Sequence, residues 1–126
     1  MPGIVYDTGA LLAGERRHRG LWALHEQSLA GGVRPIVPVV VLAQAWRGTP
    51  HANLSRLLRG CQVTPDTEEL GKTAGTICDH TGTSDVIDAL VVVTALRQRA
   101  LVVTSDPDDL QYLASSLHNK LLIFTV

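Results

Sequence analysis

The sequence predicts an α/β fold: a three-layer α/β/α arrangement around a central, mainly parallel sheet of about five short strands. Three observations predict it. Short β-branched runs alternate with longer helical stretches from end to end. The stretch 85–98 is apolar almost all round (Val86, Ile87, Ala89, Leu90, Val91, Val92, Val93, Ala95, Leu96) and needs burial on more than one side. Two of the runs, Gly3-Ile4-Val5-Tyr6 and Leu101-Val102-Val103-Thr104-Ser105, lead into an aspartate, Asp7 and Asp106. If these strands are parallel neighbours, both acids lie at the carboxyl edge of one sheet, where open α/β folds place their ligands.

The elements follow in order. Residues 4–6 form the first strand. A short helix comes next, then a longer one near 20–30 with Leu21, Leu24 and Leu29 inward, ended by Gly31-Gly32. Pro35-Ile36-Val37-Pro38 is the second strand, and Pro38 suits the first turn of the helix over 39–46. A further helix spans 50–59 with Leu54, Leu57 and Leu58 inward, before a short strand at 62–64. Thr67 opens a helix to residue 80, with half a capping box because Leu70 stands where Glu is usual. The apolar helix 85–98, the strand 101–104, a helix opened by Asp106-Pro107 and running to Leu113, and a last strand at 121–124 complete the chain. No repeat or low-complexity tract interrupts them.

With 126 residues, the length argues for one domain over 1–126. Hydrophobic residues are 45% and charged ones 18%, enough apolar surface for a core. Aromatics are only 4%, so the core is aliphatic and platforms for stacking nucleobases are scarce. A net charge of -1 gives no general field for nucleic acid, so phosphate contacts must come from local arginines. Cys61 and Cys78 lie in apolar segments without metal-type spacing and read as reduced core thiols. No basic-then-apolar leader is visible, and the longest apolar run, 37–43, is too short to span a bilayer. The expected location is the cytoplasm, with no membrane.

Acids carry the chemistry. Singly, each edge aspartate has a simple structural account: Asp is a favoured helix N-cap, and Asp106-Pro107 is an ideal cap-plus-first-turn pair. Asp88 resists it. With Ser84 as the cap of the 85–98 helix, Asp88 lies at the fourth helical position among apolar neighbours, where an unpaired carboxylate is costly. Asp85, one turn away, is expected to be solvated. Asp7, Asp88 and Asp106 at one sheet edge would repel, and a divalent cation removes that conflict.

Asp7-Thr8-Gly9-Ala10-Leu11-Leu12, the long helix carrying Asp88-Ala89, and Thr104-Ser105-Asp106-Pro107-Asp108-Asp109-Leu110 together resemble a PIN-domain nuclease, most of all the VapC toxins of bacterial toxin–antitoxin pairs. The resemblance implies an endoribonuclease using Mg²⁺ or Mn²⁺. It implies an acidic pocket of Asp7, Asp88, Asp106 and an acid at position 44, with Asp109 as a further ligand. Position 44 departs from the pattern, because Gln44 stands where the family usually has Glu. An amide offers an oxygen but no charge, so three aspartates remain to hold one octahedral cation with several waters. Glu15 or Asp85 could take the missing place. Thr8, Thr104 and Ser105 are expected to donate hydrogen bonds around the site. The basic run Arg16-Arg17-His18-Arg19 is placed near the Asp7 edge, and it and Arg47, with Arg56 and Arg59, are candidates for gripping RNA phosphates. Trp22, Leu21 and Leu24, with Val39, Trp46, Leu54 and Leu57, make either the core or an apolar face for a second copy. By the same resemblance, the partners are RNA, a cognate antitoxin and a second copy in a homodimer. Two other readings stay open: a PIN-fold binding protein weakened by Gln44, and a phospho-acceptor receiver domain. The latter lacks the second acid after the first strand, where Thr8 stands, and a Lys beyond the last strand.

Overall fold

The computed structural model describes residues 2–126, so the first residue of the expected 1–126 unit lies outside it. The chain runs β1 (Ile4–Tyr6), α1 (Thr8–Glu15), α2 (Arg19–Ala30), β2 (Ile36–Pro38), α3 (Val39–Ala45), α4 (Ala52–Arg59), β3 (Gln62–Thr64), α5 (Glu68–Thr81), α6 (Val86–Gln98), β4 (Leu101–Thr104), α7 (Pro107–Ser116) and β5 (Leu122–Thr125). The strands form one sheet in the order β3-β2-β1-β4-β5, and every pairing is parallel. The sheet is thus wholly parallel.

Topology follows from handedness. From β1 the chain steps outward to β2 and β3, then returns across the sheet to β4 and steps outward again to β5. Right-handed crossovers put the helices of the two directions on opposite faces. The contacts agree: α1 packs on α2, α3 and α4, while α5 packs on α6 and α7. The strand order reverses between β1 and β4, the point at which a crevice opens beyond the strand ends. Their register is Ile4 opposite Leu101, Val5 opposite Val102 and Tyr6 opposite Val103.

β1 is covered on both sides, so Ile4, Val5 and Tyr6 are all buried, as are Val37, Val102 and Val103 of its neighbours. Residues 89–95 of α6 are buried without a break, because this helix packs on β1 and β2 and also carries α5 and α7. Cys61 and Cys78 are free thiols, the first buried. Among the described residues no helix is long and apolar enough to cross a membrane.

The caps behave as their chemistry asks. The Thr67 hydroxyl accepts the Leu70 N–H at 3.2 Å without help from a Glu. At the end of α2, Gly32 takes the left-handed backbone, with φ of 79°. Leu29, expected inward, is exposed; the buried stripe of α2 is Leu21, His25 and Ser28. His25 earns its place through a bond to the core: its Nδ1 lies 2.8 Å from the Tyr6 hydroxyl, and Trp22 meets its ring edge-on. Leu21, Leu54 and Leu57 are core, whereas Val39, Leu42, Ala43, Trp46 and Leu58 line an open apolar groove of about 430 Å³.

Burial lowers the pKa of His25 below its ordinary 6.5, a shift that the Glu26 charge opposes. A neutral native imidazole binds no proton where the unfolded chain does. This packing is therefore fully stabilising above about pH 6.5 and weakens below it, by up to about 1.4 kcal/mol per pH unit. Urea unfolding of the parent and of His25→Gln, whose amide oxygen can still accept the Tyr6 hydroxyl, should show the parent losing stability faster between pH 7 and 5.

Candidate active site

At the carboxyl end of β1 the Asp7 N–H continues the ladder to the Val103 carbonyl at 3.0 Å. That places the Asp7 side chain beside Thr104, at the reversal of strand order. One Asp7 oxygen accepts the Thr8 N–H at 2.6 Å, and so caps α1; the other accepts the Thr104 hydroxyl at 2.8 Å. The same Thr104 hydroxyl accepts the Asp106 N–H at 2.9 Å. Thr104 is wholly buried and Asp7 only 5% exposed. One buried hydroxyl therefore sets the carboxylate after β1 and the backbone after β4 in fixed relation.

Asp106 stands at the N-cap position of α7, yet its side chain makes no capping bond. Its exposed carboxylate is free for other work. Gly9 brings α1 close to this turn: a Cβ there would lie 2.9 Å from the Ser105 N and 2.2 Å from its Oγ. The backbone nitrogen cannot move aside as a flexible side chain can, so α1 and the β4–α7 turn meet only because residue 9 lacks a side chain.

The third acid comes from the other face of the sheet. The cap of α6 is Asp85, not Ser84: its Oδ1 accepts the Asp88 N–H at 3.0 Å. Asp and Ser cap about equally well, so adjacent Ser and Asp leave the boundary ambiguous by one residue. Asp88 accordingly sits at the third helical position. It is half-buried rather than covered, because it lines an open cavity.

Asp7, Asp85, Asp88, Asp106 and Asp109 all line one cavity of about 410 Å³, together with Thr8, Gln44 and Ser105. Burial raises the Asp7 pKa, against the bonds from Thr104 and Thr8, and the charges of Asp106 and Asp85 push it further. Asp88 is raised to about 7, first by burial and then by the charges of Asp85 and Asp7, the Asp85 hydrogen bond and the Asp109 charge. Among the described residues no cavity carboxylate forms an ion pair. Arg47 lines the cavity, but its Nη1 donates to the carbonyls of Ala43 and Trp46 at 3.1 and 2.9 Å. The ion pairs among the described residues, Lys72–Glu68 and Arg97–Glu69, lie elsewhere. Three helix N-termini, those of α1, α6 and α7, meet the cavity through Asp7, Asp85 and Asp106, and their dipoles give partial relief.

The donor set is all oxygen and suits a hard cation. Among the described residues, no three carboxylate, imidazole or thiol groups are poised to ligate one ion directly. Both Asp7 oxygens are already engaged. The fit is therefore to an ion that keeps part of its water shell, as Mg²⁺ does, and not to a dry protein cage.

The other expected residues divide. Thr8 donates its hydroxyl to the Gln44 side-chain oxygen, so Gln44 is tied to the cavity rim. Thr104 lies behind the cavity, holding Asp7. Glu15 does not supply a missing acid: its Oε2 accepts the Leu54 N–H at 2.6 Å and its carbonyl accepts the Asn53 amide, which together start α4. Asp85 is exposed, as expected, and also lines the cavity. Arg16, Arg17 and Arg19 do not line the cavity. α1 begins at Asp7 and carries Arg16 a helix length away, about 12 Å for its eight residues. Nearness in sequence to Asp7 was misleading because a helix intervenes.

A family model described as PIN domain matches residues 4–115. The chain belongs to the PIN domain family. Among solved structures it is similar to the VapBC2 complex of Rickettsia felis bound to a DNA fragment from its promoter, with a TM-score of 0.72 and 15% identity over 98% of both chains. It is also similar to the DNA-bound VapBC of Salmonella typhimurium (TM-score 0.67, 14% identity, 99% of this chain and 98% of that one). A Pyrobaculum aerophilum protein gives a TM-score of 0.64 at 16% identity, over 97% of this chain and 83% of that one. At such identities these likenesses concern the fold. No curated protein matches the chain by sequence.

The raised Asp88 pKa has a consequence for this PIN domain without metal. The folded state favours the protonated acid, so this carboxyl is best tolerated below its ordinary 3.8 and costs stability as pH rises toward about 7. Asp88→Asn should therefore stabilise the protein in chelator at pH 8 and have little effect at pH 4. After discounting for solvent screening of a half-exposed group, the gain is on the order of 1 kcal/mol, or a few degrees in Tm. Thermal melts at the two pH values check it.

Proposed function

We propose that this PIN domain is a divalent-cation-dependent endoribonuclease of the VapC type, the toxin of a toxin–antitoxin pair. One observation carries the reading: Asp7, Asp88 and Asp106, from the two ends and the middle of the chain, line a single cavity at the strand-order reversal, and among the described residues none of them is ion-paired. Family membership supports hydrolysis of nucleic acid, and the likeness to VapBC complexes supports an antitoxin partner.

In this reading Asp7, Asp88 and Asp106 hold Mg²⁺ or Mn²⁺, in part through water, with Asp109 and Asp85 at the margin. When bound, the cation neutralises phosphate oxygens and acidifies a water. The protein's own task is to fix the carboxylates. Asp7 cannot turn, because both its oxygens are engaged by Thr8 and Thr104. Asp106 is left uncapped and faces the same space. Water adds to phosphorus in line with the departing 3′ oxygen; the new P–O bond forms as the P–O3′ bond breaks, and the products carry a 5′-phosphate and a 3′-hydroxyl. Arg47 at the rim is placed to meet a phosphate. Arg16, Arg17 and Arg19 would contact RNA only well away from the cleaved bond. The open groove of Val39, Leu42, Ala43, Trp46 and Leu58 supports association with a second copy.

Gln44 favours a second reading. A neutral amide at the rim, already accepting the Thr8 hydroxyl, lowers the site's negative charge and with it the affinity for a cation. A PIN-fold binding protein with poor catalysis is then the alternative.

Asp7→Ala should lower Mg²⁺- or Mn²⁺-dependent cleavage of single-stranded RNA by more than about 100-fold, beyond what loss of an outer partner costs. Undiminished cutting by that variant removes the proposal. In Mn²⁺ the parent should itself cleave RNA if the nuclease reading holds, whereas only Gln44→Glu should cleave if the binding reading holds. Thr104→Val, which keeps the shape of the core and removes only the hydroxyl, should cost about 10–100-fold in activity while the protein stays folded, as followed by circular dichroism.

A further inference from the structure

A second pocket, of about 240 Å³, opens beside the acidic cavity and shares Asp85, Asp88 and Asp109 with it. Thr83, Tyr112 and Leu113 complete its wall. Tyr112 is 59% exposed, the most exposed aromatic of the chain. Its hydroxyl donates to the Thr81 carbonyl at 3.4 Å, which tethers the ring to the end of α5.

The other aromatic rings have employment. Tyr6 is core, Trp46 lies against His51 with ring centres 4.9 Å apart, and Trp22 meets His25 and carries the Arg56 guanidinium 4.3 Å from its centre. Phe124 packs against the core. Among the described residues Tyr112 has no aromatic or cationic partner. In a chain with so few aromatics, the free ring stands at the edge of the acidic cavity.

The chemistry of the wall selects the occupant. Asp85 has given Oδ1 to the Asp88 N–H and keeps Oδ2, while among the described residues no donor reaches the Asp109 carboxylate. Thr83 accepts the Asp85 N–H through its hydroxyl. No Lys or Arg lines the pocket. An anion such as phosphate would be repelled. A flat neutral ring bearing N–H donors fits, because its face stacks on Tyr112 and its edge donates to carboxylate oxygens.

We infer that this pocket is a nucleobase subsite: Tyr112 stacks a base flanking the scissile phosphate, and Asp85 and Asp109 accept hydrogen bonds from its amino-bearing edge. The inference rests on the nuclease reading for the position of the phosphate. Adenine, cytosine and guanine each offer an exocyclic amino group. Uracil presents carbonyl oxygens on both sides of its one N–H, and meets the carboxylates poorly. The pocket therefore prefers the three amino-bearing bases over uracil.

The test uses short single-stranded RNA oligonucleotides that differ only at the nucleotides flanking the cleaved bond. Tyr112→Ala should raise KM by roughly 5- to 100-fold and leave kcat within about twofold, the range that stacking on one base provides. Tyr112→Phe keeps the ring and should behave as the parent. On RNA made abasic at the contacted position the alanine penalty should vanish, and uracil there should raise the parent's KM. Equal KM for parent and Tyr112→Ala would overturn the inference. So would a Tyr112→Phe loss as large as the alanine loss, which would mark the Thr81 bond as the only role. A penalty undiminished on abasic RNA at either flanking position would do the same. Binding of the same RNAs in chelator, followed by fluorescence anisotropy, separates this from the parent reading. If no metal supports cleavage, yet Tyr112→Ala weakens binding and Tyr112→Phe does not, the base subsite stands and the nuclease assignment falls. If cleavage proceeds and Tyr112→Ala changes neither KM nor binding, the reverse holds.

Discussion

The Thr104 hydroxyl does two jobs with one oxygen, donating to the Asp7 carboxylate and accepting the Asp106 N–H. Everything at the acidic edge depends on that junction. It lies where β1 and β4 run side by side and their helices leave toward opposite faces, so no other pair of strands in this sheet could bring these two acids together. The Thr104 hydroxyl at its centre is wholly buried, which makes its bonds strong and their loss expensive. It can be so rigid because the strands beneath it are covered on both faces by aliphatic side chains.

That rigidity answers an electrostatic problem. Five carboxylates around one cavity repel, and the charges of Asp85, Asp7 and Asp109 add to burial in raising the Asp88 pKa to about 7. Helix N-termini and the hydrogen bonds to Asp7 relieve a part of it. The rest is carried by the fold, since the loops bearing Asp85 and Asp106 are held by bonds that do not involve their free oxygens: Thr83 receives the Asp85 N–H and Thr104 the Asp106 N–H. Natural sites that bind cations often store cost in this way and recover it on binding.

Much of this was legible in the sequence, for physical reasons. Strand and helix periods differ, so alternation identified the elements to within a few residues. A parallel sheet followed, and with it the shared edge of Asp7 and Asp106. Asp88 stood out because a carboxylate among apolar neighbours has no simple account. What failed was local ambiguity that only three dimensions resolve. Ser84 and Asp85 are equally good caps, and the choice shifted Asp88 by one position. Glu15 looked like a spare acid near Asp7, but it starts a helix far along the chain. Arg16, Arg17 and Arg19 follow Asp7 closely in sequence and are separated from it by the length of α1. His25 gave no signal at all, since a histidine on a helix facing the core is recognisable only once Tyr6 is seen to meet it.

Gln44 shows how one neutral atom redistributes a site. As an acid it would repel the Asp7 side and add to the hold on a cation. As an amide it instead accepts the Thr8 hydroxyl, next to the backbone N–H that Asp7 caps, and ties α3 to the start of α1. The negative charge of the cavity therefore comes from Asp7 and from the α6 and α7 side, where Asp85, Asp88, Asp106 and Asp109 gather, and none comes from α3. The asymmetry has a direction. On the α3 side the cavity offers Arg47 and an amide, a surface that a phosphate can approach; on the α6 and α7 side it offers acceptors only, which a cation or an N–H donor can approach and a phosphate cannot. A strand of nucleic acid laid across the cavity would meet these two surfaces in turn.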